Sequence, residues 1–129
     1  MAPFTETRVE IALGDTRRTG GRVVEGWVSP DVPGLAVTRG IATNAGYWVV
    51  THVESGRQLG RASGDRFVRF VQRSAAEDFA RALAAVADWT QPDRWFTRLG
   101  RTHPVRLAVR AVAEEFLHRS SAQTSAVRT

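Results

Sequence analysis

The hydrophobic pattern changes period once along the chain, from two to 3.6, shortly after residue 70. In "TRVEIAL", Val9, Ile11 and Leu13 alternate with Arg8 and Glu10, which predicts a half-buried strand over 7–13. "GDTRRTGG" follows as a polar hairpin loop, in which Gly20-Gly21 suits a turn with positive φ. "RVVEGWVS" (22–29) predicts a second strand, broken by the prolines of "PDVPG", and "LAVTRG" (35–40) a short third. The strongest strand is "YWVVTHVE" (47–54). Tyr47, Val49, Thr51 and Val53 share one face, and Trp48, Val50, His52 and Glu54 the other. Neither face is uniformly polar, so this strand is expected to be central or covered on both sides. "QLGRASG" returns as a short partner, and "RFVRFVQ" (66–72) is read as a further strand although its apolar residues fit neither period cleanly.

Helical spacing then takes over. "SAAE" gives Ser74 as an N-cap with Glu77 three residues on, a capping box. Ala75, Phe79, Ala82, Leu83, Val86 and Trp89 form one stripe of a helix over 74–89. "TQPDRWFTRLG" predicts a short second helix capped by Thr90 and ended by Gly100. A third starts with Thr102 as its cap and buries Val105, Ala108, Val109, Val112 and Phe116. "SSAQTSAVRT" has no apolar period. The expected architecture is therefore α+β: an antiparallel sheet of four to five strands followed by two to three C-terminal helices. It forms a single domain over 1–120 with a flexible tail over 121–129.

Composition bears on function chiefly through charge. The 129 residues carry a net charge of +5, and all eighteen cations are arginine. Residues 1–46 balance. Residues 47–73 net +3, from five arginines against Glu54 and Asp65; residues 74–90 net −2 and residues 91–129 net +4. The excess therefore belongs to the hairpin region and the C-terminal third. Clustered arginine attracts phosphate and releases its counterions, and its planar fork also stacks on bases. An arginine-only cation set also fits a GC-rich genome, whose codons favour Arg. No cysteine occurs, which excludes disulfides, thiolate metal sites and a cysteine nucleophile. No signal-peptide core or run of eighteen apolar residues is present, so the expected address is the cytoplasm and no membrane partner is expected.

Candidate chemistry is sparse. His52 and Glu54 lie two apart on one strand face, roughly 7 Å from each other, too far for a direct base–orienter bond. His52 is therefore expected to be structural, donating to a neighbouring strand. His103 and His118 stand in other elements without ligand spacing, so no metal, no cofactor and no catalytic residue are assigned. Phosphate-loop order is absent from "GDTRRTGGR", although Arg17 and Arg18 could touch a backbone from its tip.

The arginines remain. Arg57, Arg61, Arg66, Arg69 and Arg73 recur every three to five residues among Phe67 and Phe70. Arg94, Arg98 and Arg101 fall at i, i+4 and i+7. Arg106 and Arg110 lie in the first turns of the last helix, where a cation opposes the macrodipole unless an anion is bound. These ten residues are the expected contacts of a non-enzymatic protein that binds the phosphate backbone of DNA or RNA with little sequence specificity. The alternative is an interaction or assembly module, homodimers included, docking through an exposed hairpin edge or a Trp95/Phe96 patch, since tryptophan and arginine dominate interface hot spots.

At "YWVVTHVESG" and "FARALAAVADWTQP" the chain resembles small uncharacterised proteins of GC-rich bacteria, their phages and plasmids. Their pattern is a W-x-V-T-H-x-x-[ST]-G hairpin followed by an alanine-rich helix ending in D-W-T. The resemblance covers 37–92 and implies the hairpin-then-helix layout, without an assigned activity. The sheet-then-helix order is also similar to that of small single-strand-binding domains, with no shared motif.

Overall fold

Alternation in the first half produces a meander. β1 (Thr5–Ala12), β2 (Gly21–Val28), β3 (Leu35–Arg39), β4 (Trp48–His52) and β5 (Gln58–Leu59) form one sheet in sequence order, every neighbour antiparallel. Three helices follow, α1 (Arg73–Ala84), α2 (Asp93–Thr97) and α3 (Pro104–Arg128), giving the expected α+β arrangement. The computed structural model describes residues 2–12 and 21–128; the side chains of Asp65 and of residues 120–128 are not among those described. The loop with Arg17 and Arg18 lies outside the described residues, as do the side chains on which the reading of a tail over 121–129 depends.

β4 is the central strand that its mixed faces implied: all five of its residues are buried. On one side Leu35, Val37, Trp48 and Val50 meet Phe79 and Leu83 of α1, with Phe70 and Phe116 completing the core. Phe79 and Phe116 have ring centroids 5.1 Å apart, and Phe70 lies 5.6 Å from Phe79. On the other side a smaller cluster gathers Val9, Ile11 and Ala36. There the fully buried Thr38 and Thr51 bond to each other through their hydroxyls (2.9 Å). Although β1 and β5 are opposite ends of the strand order, the Ala12 N–H donates to the Gly56 carbonyl (2.8 Å). The sheet thus curls until β1 meets the turn between β4 and β5, and this second face becomes an interior.

Residues 66–72 do not form the expected strand. Single bridges pair Trp48 with Phe70 and Arg61 with Phe67, so this segment touches β4 beyond the end of β5 without building a ladder. The irregular apolar spacing of "RFVRFVQ" matches that outcome: Val68 and Phe70 are buried, Phe67 half-buried and Val71 exposed.

Helix boundaries moved for identifiable reasons. α1 begins at Arg73 with Gln72 in the N-cap position, and no side chain caps it. Instead of a capping box with Ser74, Glu77 takes the Arg73 guanidinium (2.9 Å). The helix stops at Ala84 because the chain turns and the Trp89 indole N–H donates back to the Leu83 carbonyl (2.9 Å), satisfying a C-terminal acceptor. The fully buried face of α1 is Ala76, Phe79, Ala80 and Leu83, and the predicted Ala75 and Ala82 pack partly against the core beside it. Thr90 does not cap α2; it binds the Asp88 carboxylate through its hydroxyl and its N–H. His103, not Thr102, caps α3: its Nδ1 accepts the Val105 N–H (3.1 Å) and its carbonyl accepts the Leu107 N–H. α3 buries Ala113 and Phe116, and Val109 and Val112 pack partly against them.

A polar clasp ties the segment before residue 66 to α3. Glu114 accepts the Ser63 N–H (2.6 Å) and the Arg66 guanidinium (3.2 Å). Ser63, by side chain and backbone, holds the Glu114 carboxyl below its ordinary value of 4.5, and Arg66 and Arg110 add to the effect. A depressed folded value means that the clasp stabilises fully above the ordinary carboxylate range and is lost as pH falls through the folded value. Comparing Glu114→Gln with the parent, the gap in Tm should therefore be present at neutral pH and narrow as pH falls below the ordinary carboxylate range. Thermal melts followed by circular dichroism across that range check it. A gap independent of pH would mean that the charge of Glu114 is not what stabilises.

Candidate nucleic-acid interface

The strongest sequence feature, the 47–57 hairpin, serves to position α2. His52 is 2% exposed. Its Nε2 lies 3.0 Å from both the Trp89 and the Gln91 carbonyl oxygens, neither of which can donate, so the ring hydrogen sits on Nε2. Nδ1 then accepts the Ser55 hydroxyl (2.9 Å), while the Ser55 oxygen accepts the Arg57 N–H (3.2 Å). Both ring nitrogens are engaged. The expected structural role holds, but the acceptors belong to the connector between α1 and α2 instead of a neighbouring strand. Glu54 turns away from His52 and accepts the Asp93 N–H (3.2 Å), one of the orphan donors at the start of α2. Arg57 adds an ion pair to Asp93 (3.6 Å).

Aromatic packing completes the dock. Phe96 stacks on Trp89 with centroids 4.7 Å apart and planes 15° from parallel, and its edge meets His52 at 5.6 Å. Trp95 meets Phe96 edge-on at 4.9 Å and stays half-buried. At the far end of α2, the Arg106 guanidinium donates to the Leu99 carbonyl (3.0 Å). Arg106 thus stands at the start of α3 but serves the C-terminal side of α2, where a cation is favourable. Its position needs no bound anion.

The ten candidate arginines separate into two sets. Most of those over 57–73 are committed within the fold. Arg57 pairs with Asp93. Arg66 holds both Ser63 and Glu114. Arg69 donates to the Thr43 carbonyl (2.6 Å) and lies 4.2 Å above the Tyr47 ring. Arg73 combines its Glu77 pair with a 3.6 Å stack on Trp27. Arg61 is exposed but also has an interaction within the fold. In the second set, Arg106 is bonded as described, and Arg110 is exposed near Glu114 and lowers its pKa.

Arg94, Arg98 and Arg101 differ from all of these. Each is exposed, and none has a side-chain hydrogen bond, ion pair or ring contact among the described residues. Their spacing puts Arg94 and Arg98 one turn apart on the outer side of α2, with Arg101 just beyond the Gly100 turn. Sequence spacing found this trio. It could not distinguish the trio from the committed arginines, whose partners lie up to 48 residues away.

Other chemistry finds less support. No group of three His, Cys, Asp or Glu side chains able to hold a metal occurs among the described residues, nor any helix long and apolar enough to cross a membrane. Of the tryptophans, Trp48 and Trp89 are buried in the core and Trp27 lies under Arg73. Phe96 of the suggested Trp95/Phe96 patch is packed inward against the core. No family model, no curated protein and no solved structure matches the chain.

Proposed function

We propose that the chain is a non-enzymatic, cytoplasmic nucleic-acid-binding domain that grips the phosphate backbone with little sequence specificity, its contact surface being α2 and the turn after it. The observation that carries this reading is the trio Arg94, Arg98 and Arg101, three exposed cations without a side-chain partner among the described residues, on and just after an element held by His52, Glu54 and Arg57. A fixed scaffold with free guanidinium forks suits backbone contact, and the half-buried Trp95 beside them offers a ring face for stacking. Of the arginines of 57–73, Arg57 supports this surface through its ion pair with Asp93.

The test compares reversals of equal charge. Anisotropy of labelled single-stranded and duplex DNA should show Arg98→Glu weakening binding several-fold more than Arg22→Glu on the exposed part of β2. The triple reversal of Arg94, Arg98 and Arg101 should flatten the slope of log K against log salt by about 2 to 3. Equal losses from Arg98→Glu and Arg22→Glu would show attraction by net charge alone and would remove α2 as the site.

A second reading, assembly with another copy of the chain, is favoured by one separate observation: the outer edge of β1 has no strand partner among the described residues.

A further inference from the structure

The direction of each backbone group on that edge can be read from the fold. The Ala12 N–H points away from β2, since it reaches Gly56. The Glu10 carbonyl also faces Gly56, lying 3.0 Å from where a β-carbon on that glycine would stand. Backbone groups alternate in direction along a strand. Residues 6, 8, 10 and 12 therefore turn their N–H and C=O outward, and residues 5, 7, 9 and 11 turn theirs toward β2. The β4–β5 turn covers the edge at 10–12, so the open outward groups are those of Glu6 and Arg8.

An antiparallel twofold pairing must oppose outward residues with outward residues, which leaves few registers. Centring on Glu6 or on Arg8 sets like charges face to face. Centring on Val9 needs the edge at Glu10, which the turn occupies. Centring on Thr7 opposes Glu6 with Arg8 of the second copy and Arg8 with its Glu6, each pair exchanging two backbone hydrogen bonds, while Thr7 faces Thr7 and Thr5 faces Val9. Charged residues ordinarily guard an exposed edge against pairing. Here they match in the Thr7-centred register, which the backbone directions allow. The row also continues inside each copy, because Arg8 already lies opposite Glu25.

We infer that two copies of the chain join edge to edge through residues 5–9 of β1, in the Thr7-centred antiparallel register, forming one continuous sheet across a twofold axis. This rests on the assembly reading and specifies its surface. Glu6, Thr7 and Arg8 are exposed, so their substitution leaves the core untouched.

Sedimentation equilibrium of the full chain provides the test, with circular dichroism confirming the fold of each variant. The parent is expected to dimerise. Glu6→Arg and Arg8→Glu, made singly, turn both symmetry-related pairs from attractive to repulsive and should each raise the dimer dissociation constant by about tenfold or more. The double swap Glu6→Arg with Arg8→Glu should restore it to within a few-fold of the parent. A dimer indifferent to all three variants would overturn the β1 edge while leaving assembly through another surface standing. A parent that stays monomeric at high concentration would overturn both.

Discussion

Gly34→Ala is expected to remove more than about 4 kcal/mol of stability, a large share of what a domain of this size possesses. Gly34 ends the turn before β3 with φ +85, a backbone conformation that a side chain resists. The turn also lies flat against the connector between α1 and α2. A β-carbon on Gly34 would stand 2.2 Å from the Trp89 carbonyl oxygen and 2.4 Å from its carbon. Neither atom belongs to a flexible side chain, and the same carbonyl is fixed by His52. The chain must therefore part from the sheet at the point where α2 is anchored.

Gly46 provides the control. Its φ of +87 is nearly the same, but nothing lies within 4 Å of its missing β-carbon. Gly46→Ala should cost about 1 to 2 kcal/mol, the conformational part alone. Urea titrations of the two variants separate the terms. Equal losses would show that the approach to Trp89 contributes nothing beyond backbone strain.

The second large effect is expected at His52. His52→Leu leaves the buried Trp89 carbonyl and the half-buried Gln91 carbonyl without their donor and the half-buried Ser55 hydroxyl without its acceptor. Unsatisfied buried groups cost about 1 to 3 kcal/mol each, and partial access of water to Gln91 lowers the sum, so a loss of about 3 kcal/mol is expected. His52→Gln retains an N–H donor and should recover part of it. If leucine proved neutral, the connector would be held by the Trp89–Phe96 stack, the Trp89 indole bond to Leu83 and the Glu54 and Arg57 contacts to Asp93 without help from His52. His52→Leu removes part of what anchors α2, so DNA affinity should fall together with stability, unlike Arg98→Glu, which should lower affinity and leave the melting temperature nearly unchanged.

How much of this was legible in the sequence follows from the range of each interaction. The strands were, because alternation is local: the expected 7–13, 22–29, 35–40 and 47–54 lie within two residues of β1 to β4 at each end. Helix termini were less so, because tertiary contacts capped them. The start of α2 takes its acceptor from Glu54, 39 residues earlier, and the end of α1 takes its donor from the Trp89 indole. The arginines were visible as positions only. Opposite the dipole of its own helix, Arg106 looked like a mark of a bound anion, yet its acceptor is a backbone carbonyl on the preceding element. No residue-type pattern records a carbonyl. Arg94, Arg98 and Arg101 are exposed and have no side-chain partner among the described residues.

The hydroxyl pair inside the curled sheet bears on how the chain finds this fold. Thr38 stands opposite Val49 and Ala36 opposite Thr51, so the two threonines are diagonal neighbours across the β3–β4 ladder. Their bond forms in this alignment, whereas sliding β3 by two residues in the sense that sets Thr38 opposite Tyr47 keeps the faces correct but moves one hydroxyl away from the other. Two buried hydroxyls would then lack partners, a penalty of about 2 to 6 kcal/mol that the surrounding valines and alanine could not offset. A wholly aliphatic interior would accept such a slipped sheet almost as readily. The threonines therefore act as a proofreading device against that slip, discriminating the native alignment from it while adding little to the stability of the finished protein.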